Sequence, residues 1–300
     1  MIIDPLDLKI LRHLEAQGYV PIDEVINKFH IKQEEIFLRI QNFEENGLIT
    51  GYGIKLFIPA IAGGRWYRGC AFVDADVEPE IAKMYPLTEE VIVNTTIPQG
   101  ILPSYSYFFY ARDLKHCYRL LNKSFGVKYV EIYKIAEYNI PGPNELTREE
   151  WQLIYQLTRS KITFSRIHEI LENPCSDVDV QLARLMLNRK NRHGVFSIFP
   201  NINWNLIKNF AHIHLAITTR MRPGELKRFL KQHMIPADIF HKFKKKYLQL
   251  EFDLWGFSDM IKILEQIKRE RRITIYGISI ANHNEICDDW VKTFIKEKAH

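Results

Sequence analysis

Two histidines in the second half of the chain have the spacing of a paired ligand. His212 and His214 lie in the apolar run IKNFAHIHLAITT (207–219), which alternates like a β-strand. Alternate residues of a strand point to the same face, so the two imidazoles share a face, which is the minimum for a metal or haem pair. The sequence offers no third ligand at a recognisable spacing. We therefore predict a structural role for the pair, with no metal site and no cofactor.

A basic cluster in the second half could hold phosphates. Its side chains lie on or just after a predicted helix, and they are Arg184, Arg189, Lys190, Arg192 and His193. The chain has a net charge of +5, and its basic excess lies in the second half while the first half is net acidic. Neutralisation of phosphates supplies much of the affinity of proteins for DNA. We predict that this cluster contacts DNA, with an ordinary solvated surface as the alternative.

A second set of candidate DNA contacts lies near the N-terminus. In KQEEIFLRIQNFEEN (32–46), Ile36, Ile40 and Phe43 form the apolar seam of a helix. The residues that lie away from this seam and that we predict to contact DNA are Lys32, Gln33, Phe37, Arg39 and Gln41. Glutamine can read adenine, and arginine can hold guanine or phosphate.

Motifs for other kinds of chemistry are missing from the sequence. We find no nucleophile-elbow, phosphate-loop, dinucleotide or paired-carboxylate motif, and we predict that the protein is not an enzyme. The four cysteines are scattered without a CxxC pair, which disfavours disulfides and zinc and indicates a cytoplasmic location. No apolar run reaches the roughly 18 residues that span a bilayer. We therefore predict no membrane partner.

The elements that must position these residues begin with three helices and a strand. Helical spacing of apolar residues predicts three short helices between residues 6 and 46. Gly47 ends the third helix, because glycine tolerates the left-handed conformation of a helix cap. The glycine-punctuated run at 48–56 then predicts a strand. Together these elements outline a winged helix-turn-helix.

The rest of the chain follows a second pattern and then repeats both. After residue 64, strands and helices are predicted in the order β-α-β-β-α-β, which is ferredoxin-like. The break PGPNEL (141–146) is followed by a second copy of the whole series. The predicted domains are a winged helix at 1–60, a ferredoxin-like domain at 65–141, a degraded winged helix at 146–204, a second ferredoxin-like domain at 206–286, and a C-terminal helix at 287–300. The predicted fold class is therefore α+β, with a two-domain unit repeated twice.

This combination resembles the Lrp/AsnC family of bacterial and archaeal transcription regulators. DPLDLKILRHLEAQG (4–18) looks like the opening helix of that family, and IKQEEIFLRIQNFEENGLITGYGIKL (31–56) looks like its recognition helix and wing. Arg39 and the run Gly47-Leu48-Ile49 match positions that recur in the family. The resemblance implies binding of double-stranded DNA, a small-molecule effector, and a dimer or higher assembly. Our main prediction is an archaeal DNA-binding transcriptional regulator whose tandem copies form a pseudo-dimer.

Two other classes of function stay open. Siroheme decarboxylases share the architecture of a winged helix plus a ferredoxin-like domain, also as paired subunits. That resemblance implies a tetrapyrrole pocket lined by histidine and arginine, for which the candidates are His212, His214, Arg112 and Tyr105. The third class is a protein- or effector-binding module that has lost DNA binding, which the net acidic first winged helix favours.

Overall fold

The structure is a computed structural model of the 300-residue chain. It describes residues 1–18, 22–79, 88–99, 101–142, 145–159, 162–186, 195–233, 235, 238–244, 247–286 and 289–300. In chain order, the described helices are α1 (Pro5–Gln17), α2 (Ile22–Phe29), α3 (Gln33–Glu45), α4 (Ile58–Ala62), α5 (Leu114–Asn122), α6 (Arg148–Arg159), α7 (Phe164–Glu172), α8 (Asp177–Met186), α9 (Pro223–Gln232), α10 (Phe257–Arg269) and α11 (Asp289–Ala299). The described strands are β1 (Ile49–Leu56), β2 (Gly64–Ala75), β3 (Thr88–Ile97), β4 (Tyr105–Ala111), β5 (Val127–Ile140), β6 (Phe196–Ile202), β7 (Phe210–Thr219), β8 (Asp238–Phe243), β9 (Tyr247–Trp255) and β10 (Ile273–Ile286).

The chain forms two compact units, and each unit draws on both halves of the sequence. The first, which we call the winged-helix unit, comprises Met1–Trp66, Glu137–Ile207 and Ile286–His300. The second, which we call the ferredoxin-like unit, comprises Tyr67–Ala136 and Lys208–Glu285. The contacts therefore join the winged-helix segments of both halves in one unit and the ferredoxin-like segments of both halves in the other. The predicted boundaries instead divide the chain along the sequence. Those domain boundaries stay predictions.

The winged-helix unit begins with α1, α2, α3 and β1, as the sequence predicts. The side chain of Asp4 starts α1 by accepting hydrogen bonds from the backbone N–H groups of Leu6 and Asp7. Gly47 follows α3 with a φ of 72°, a left-handed conformation that costs glycine little. That residue therefore turns the chain from the helix into the strand.

The second series of this unit contains α6, α7, α8 and β6. Thr163 caps α7, because its hydroxyl accepts a hydrogen bond from the backbone N–H of Arg166 at 3.2 Å. The C-terminal helix α11 packs on α6, where the rings of Trp151 and Phe294 meet edge to face with centroids 5.6 Å apart. Residues 187–194, between α8 and β6, lie outside the described part of the chain.

The two predicted wing strands pair with each other. β1 and β6 form a two-stranded antiparallel sheet in which Ile54 lies opposite Ile198 and Tyr52 lies opposite Pro200. The hydroxyl of Thr50 also donates to the carbonyl of Asn201 at 3.1 Å. Each repeat therefore completes the wing of the other.

The ferredoxin-like unit is built on one eight-stranded sheet. Its strand order is β5-β2-β4-β3-β10-β7-β9-β8. The second repeat has the predicted order β7-α9-β8-β9-α10-β10. In the first repeat, the predicted helix at 78–87 falls largely on residues outside the described part of the chain. The predicted fold class, α+β with winged-helix and ferredoxin-like modules, is confirmed.

The ends of this sheet approach each other. The backbone N–H of Lys244, which follows β8, donates to Glu131 on β5 at 2.7 Å. Its ammonium group donates to the buried Asp74 at the end of β2 at 3.1 Å. The sheet therefore curls around an inner face.

The other face of the sheet carries an apolar core. In the second repeat, Ile213, Leu215 and Ile217 pack with Leu226 and Phe229 of α9. Because successive strand residues alternate between faces, the residues between them point to the opposite, inner face. His212 and His214 are therefore placed on that inner face.

The same alternation holds in the first repeat. A Cβ atom at Gly69 would come within 3.1 Å of Leu114 of α5, which shows that this residue faces the helix. Its neighbour Cys70 points the other way and packs with Phe72 and Phe108 on the inner face. Within the described part of the chain, no helix is both long enough and apolar enough to cross a membrane.

Candidate functional site

Two neighbouring strands bring four titratable side chains together on the inner face. The antiparallel register of β7 and β9 places His212 opposite Asp253 and His214 opposite Glu251. Side chains on directly opposed residues lie about 5 Å apart at Cβ, so they can interact. We call these four residues the histidine–carboxylate centre.

His212 is held between the two carboxylates. Its Nδ1 lies 2.8 Å from Oδ1 of Asp253, and its Nε2 lies 2.7 Å from Oε1 of Glu251. An ionised carboxylate only accepts hydrogen bonds, so each of these contacts requires a proton on the nitrogen. With Glu251 and Asp253 both ionised, this arrangement makes the ring of His212 an imidazolium.

His214 completes the centre from the deeper position. Its Nε2 lies 3.1 Å from Nε2 of His212 and 3.8 Å from Oε1 of Glu251. The two imidazole rings meet edge to face, with centroids 4.9 Å apart. Burial lowers the pKa of His214, so this histidine is neutral near pH 7.

The two histidines keep Glu251 ionised. Burial alone would raise the pKa of this carboxyl, but hydrogen bonds and charge from His212 and His214 outweigh burial and hold the pKa well below its usual range. The centre therefore brings two carboxylates, a neutral imidazole and the His212 ring between the carboxylates into one partly enclosed place. Such a combination is typical of sites that hold a cation or move a proton.

Several buried polar atoms around the centre have no partner among the described residues. They are Nδ1 of His214, Oε1 of Gln249 and the side-chain amide of Asn94. Ser279 lies opposite His214 on β10 and shares a hydrogen bond of 3.2 Å with Thr96 of β3. Buried polar atoms usually have hydrogen-bond partners, so a water molecule or a ligand is expected to meet these groups.

Across the inner face, Cys70 of β2 does not add a reactive thiolate. Burial raises the pKa of this thiol, and the negative charges of Glu90 and Glu251 raise it further. Cys70 is therefore a protonated, apolar side chain near neutral pH.

The sequence identified only half of this centre. Glu251 and Asp253 were missed as partners of the histidines, although YLQLEFDLWG (247–256) places them two residues apart in an apolar strand. That is the spacing of His212 and His214, so the signal was a second pair of polar residues on one strand face. The structure adds Glu251 beside the histidine pair as a third side chain with a possible donor atom, which the sequence analysis did not identify.

The two other tetrapyrrole candidates lie elsewhere. Tyr105 is on the β4 face that it shares with Tyr107, and the two rings stack with centroids 6.2 Å apart. That face also carries Phe109 and is the face on which Gly69 meets α5. Arg112 is exposed just after β4. Tyr105 is therefore not on the inner face with His212 and His214.

Two of the predicted DNA contacts have partners inside the winged-helix unit. The guanidinium of Arg39 bridges three carboxylates, with nitrogen–oxygen distances of 2.8 Å to Asp4, 2.5 Å to Asp7 and 2.9 Å to Glu35. Phe37 packs edge to face against both Phe164 and His168 of α7.

The remaining candidates are exposed or lie outside the described residues. Lys32, Gln33, Gln41 and Arg184 are exposed, and the amide of Gln41 donates to Glu45 at 2.7 Å. Arg189, Lys190, Arg192 and His193 fall on residues that the structure does not describe. Contacts of any of these side chains with DNA stay a prediction.

Comparison with known proteins gives structural neighbours only. No protein-family model and no curated protein matches the chain. Siroheme decarboxylase NirDL is similar at 12% identity with a TM-score of 0.46, covering 98% of both chains. The same enzyme in co-complex with an iron-uroporphyrin III analogue is similar at 13% identity and a TM-score of 0.46, covering 98% of this chain and 97% of that one.

Transcription regulators match only about half of the chain. An AsnC family transcriptional regulator from Agrobacterium tumefaciens is similar at 18% identity and a TM-score of 0.28, covering 49% of this chain and 98% of its own. The regulator NMB0573 from Neisseria meningitidis, in complex with L-Met, is similar at 15% identity and a TM-score of 0.27, covering 48% and 96%. At these values the likeness is one of fold.

The comparison corrects the main functional prediction. The structures that match the chain over almost its full length are those of an enzyme, and the regulators account for one half only. The predictions of a DNA-binding transcriptional regulator and of a protein without enzymatic activity are therefore wrong.

Proposed function

We propose that this chain is an enzyme that removes a carboxyl group from an iron tetrapyrrole, with the histidine–carboxylate centre as its reaction centre. This is the second of the hypotheses drawn from the sequence. The observation that carries it is the position of His212, which is clamped as an imidazolium between Asp253 and Glu251 beside the buried His214.

The arrangement suits the proton transfer that decarboxylation requires. When carbon dioxide leaves an acetate side chain, the bond to the carboxyl carbon breaks and its electron pair stays on the methylene carbon. A proton must then be added to that carbon to give a methyl group. Histidine is the side chain best suited to give a proton near neutral pH, and His212 would give the one on Nε2 and regain it from water.

The neighbouring residues would hold the acid in place. Asp253 fixes Nδ1 of His212, in the way that a carboxylate orients a catalytic imidazole. His214 would face the substrate with the Nδ1 group that has no partner among the described residues. A histidine nitrogen is also the commonest axial ligand of haem iron, so a tetrapyrrole bound here would report its iron ligation in its absorbance spectrum.

The test is a titration of the purified protein with iron-uroporphyrin, followed by mass analysis of the tetrapyrrole after anaerobic incubation. We expect a shifted absorbance band and a product lighter by one or more molecules of carbon dioxide. His212→Ala should lower the rate by about 10²–10⁴-fold, the usual contribution of a general acid. The control is His116→Ala, because His116 is an exposed histidine on α5.

Three outcomes would contradict the proposal in different ways. An unchanged spectrum would show that the protein does not bind the tetrapyrrole. A spectral shift without any loss of carbon dioxide would show that the protein binds the tetrapyrrole but does not decarboxylate it. Equal rates for His212→Ala and His116→Ala would place the reaction away from the histidine–carboxylate centre.

A further inference from the structure

We infer that the histidine–carboxylate centre is also a binding site for one divalent transition-metal ion, with Nε2 of His212, Nε2 of His214 and a carboxylate oxygen of Glu251 as its ligands. Neither the structural neighbours nor the proposed decarboxylation assigns a metal ion to the protein itself. The inference therefore goes beyond the proposed function and can be tested without any tetrapyrrole.

The three ligand atoms already surround a point at coordination distance. Zinc binds histidine nitrogen and carboxylate oxygen at about 2.0–2.2 Å, so adjacent ligands of a tetrahedral or octahedral ion lie roughly 3–3.4 Å apart. The observed separations are 2.7 Å, 3.1 Å and 3.8 Å. An ion placed among these atoms therefore needs only small side-chain movements.

Asp253 makes the kind of contact with His212 that metal-bound histidines commonly make with a neighbouring carboxylate. Nδ1 of His212 lies 2.8 Å from Asp253, which fixes the proton on Nδ1, so a bound ion would take the place of the proton on Nε2. Carboxylates that orient a ligand in this way commonly change metal affinity by about 10–100-fold when they are removed. Asp253 is thus a positioning residue of the site.

The frame that holds the ligands is rigid. All four side chains stand on two strands that pair in continuous register from Phe210 opposite Trp255 to Ile217 opposite Leu248. Sites built on strands hold their geometry better than sites built on loops. On the opposite face of these strands, Leu215, Leu250 and Phe252 are packed in the core. This packing fixes the backbone positions from which the ligand side chains project.

The ligand set and the local charge select the class of ion. Two imidazoles and one carboxylate suit Zn²⁺, Fe²⁺ or Co²⁺, and the absence of a thiolate from this set disfavours Cu⁺ and iron–sulfur clusters. Glu251 and Asp253 place two carboxylates at the site, with oxygens 2.7 Å and 2.8 Å from the ring nitrogens of His212. A divalent cation compensates that charge.

Metal binding and the proposed acid chemistry use the same atom. An ion on Nε2 of His212 replaces the proton that decarboxylation would consume, so the metal-bound and imidazolium states exclude each other. On the basis of the proposed function, Zn²⁺ is therefore expected to inhibit the decarboxylation. Only this expected inhibition depends on the proposed function.

The test is a titration of chelator-treated full-length protein with Zn²⁺ by calorimetry and with Co²⁺ by visible absorbance. We expect one ion per chain and the ligand-field bands of Co²⁺ bound to nitrogen and oxygen. Glu251→Gln and His214→Ala should abolish this binding, and Asp253→Asn should weaken it by about 10–100-fold. Circular dichroism shows whether each variant is folded, and Glu251→Gln keeps the size of the side chain.

The matched controls are His116→Ala and Glu265→Gln, because both residues are exposed on helices. Equal binding by the controls and by Glu251→Gln, or no binding of either ion by the folded wild-type protein, would overturn the metal site. Either result would leave the tetrapyrrole proposal standing. Conversely, if the protein binds Co²⁺ but leaves iron-uroporphyrin unchanged, the metal site would be supported and the decarboxylase activity would be contradicted.

Discussion

At the scale of single residues, the same charged side chain can be a ligand or a structural support, and only its neighbours decide. Arg39 was predicted to contact DNA because it lies off the apolar seam of its helix. In the structure Asp4, Asp7 and Glu35 surround its guanidinium, and these hydrogen bonds raise the pKa of Arg39 although burial opposes them. A single sequence cannot show such partners, because Asp4 and Asp7 lie at the start of α1, whereas Arg39 lies on α3.

A second arginine pair leads to a prediction about pH. Asp179 is buried in the winged-helix unit and accepts hydrogen bonds from Arg166 and from the backbone N–H of Cys175. Burial alone would raise the pKa of Asp179, but its hydrogen bonds and the charge of Arg166 lower that pKa below the ordinary value of 3.8. The stabilisation is therefore complete above about pH 4 and is lost as the pH falls through the lowered pKa.

The corresponding variant is Asp179→Asn. We expect it to reduce the free energy of unfolding of the winged-helix unit by about 1–3 kcal/mol at neutral pH, because a buried charged hydrogen bond is lost. Its deficit relative to wild type should shrink below about pH 4, where wild type loses the same interaction. Urea unfolding across this pH range measures both. The exposed neighbour Asp177→Asn is the control, and an equal deficit there would contradict the assignment.

At the scale of elements, the pairing of β1 with β6 makes the two winged helices depend on each other. Ile198 is fully buried and lies opposite Ile54, which is also buried. We expect Ile198→Ala to cost about 2–4 kcal/mol of stability, because the substitution leaves a cavity between two strands from different repeats. Denaturant unfolding provides the measurement.

Ser197→Ala is the matched control for that substitution. Ser197 precedes Ile198 on β6 and is only half buried, opposite Lys55. It should change the free energy of unfolding by less than about 0.5 kcal/mol, as surface substitutions usually do. If Ile198→Ala were as mild as its control, the pairing of the wings would contribute little to the fold.

Element types could be predicted from the sequence, but element partners could not. Helical spacing and strand alternation correctly indicated the three helices before Gly47 and the strand series of the second repeat. The partner of each strand depends on contacts between residues far apart in sequence, as in β1 with β6 and β7 with β9. The carboxylates of the centre come from β9, so the centre itself could be found only once the register was known.

At the scale of the whole molecule, two compact units interleave along one chain. The winged-helix unit and the ferredoxin-like unit each take residues from both repeats. We expect calorimetry to resolve two unfolding transitions. Ile198→Ala should lower the midpoint of one, and excess Zn²⁺ should raise the midpoint of the other, because an ion stabilises the unit that binds it by about 2.7 kcal/mol at a hundredfold excess over Kd.

This assignment of the transitions has its own control. A chelator should return the zinc-sensitive midpoint to its starting value, and Glu251→Gln should make that midpoint indifferent to zinc. A single transition that moves with both Ile198→Ala and Zn²⁺ would show that the two units unfold together.

The joining of two copies in one chain also removes a constraint that identical subunits face. In a symmetric dimer every residue occurs twice, so a centre on one inner face must be mirrored on the other. Here His212 and His214 occupy the inner face of β7, whereas Cys70 and Phe72 occupy that of β2. Under the proposed function, a ligand bound at this face would meet the two histidines from one repeat and Cys70 and Phe72 from the other, so an asymmetric molecule could be held in a single orientation.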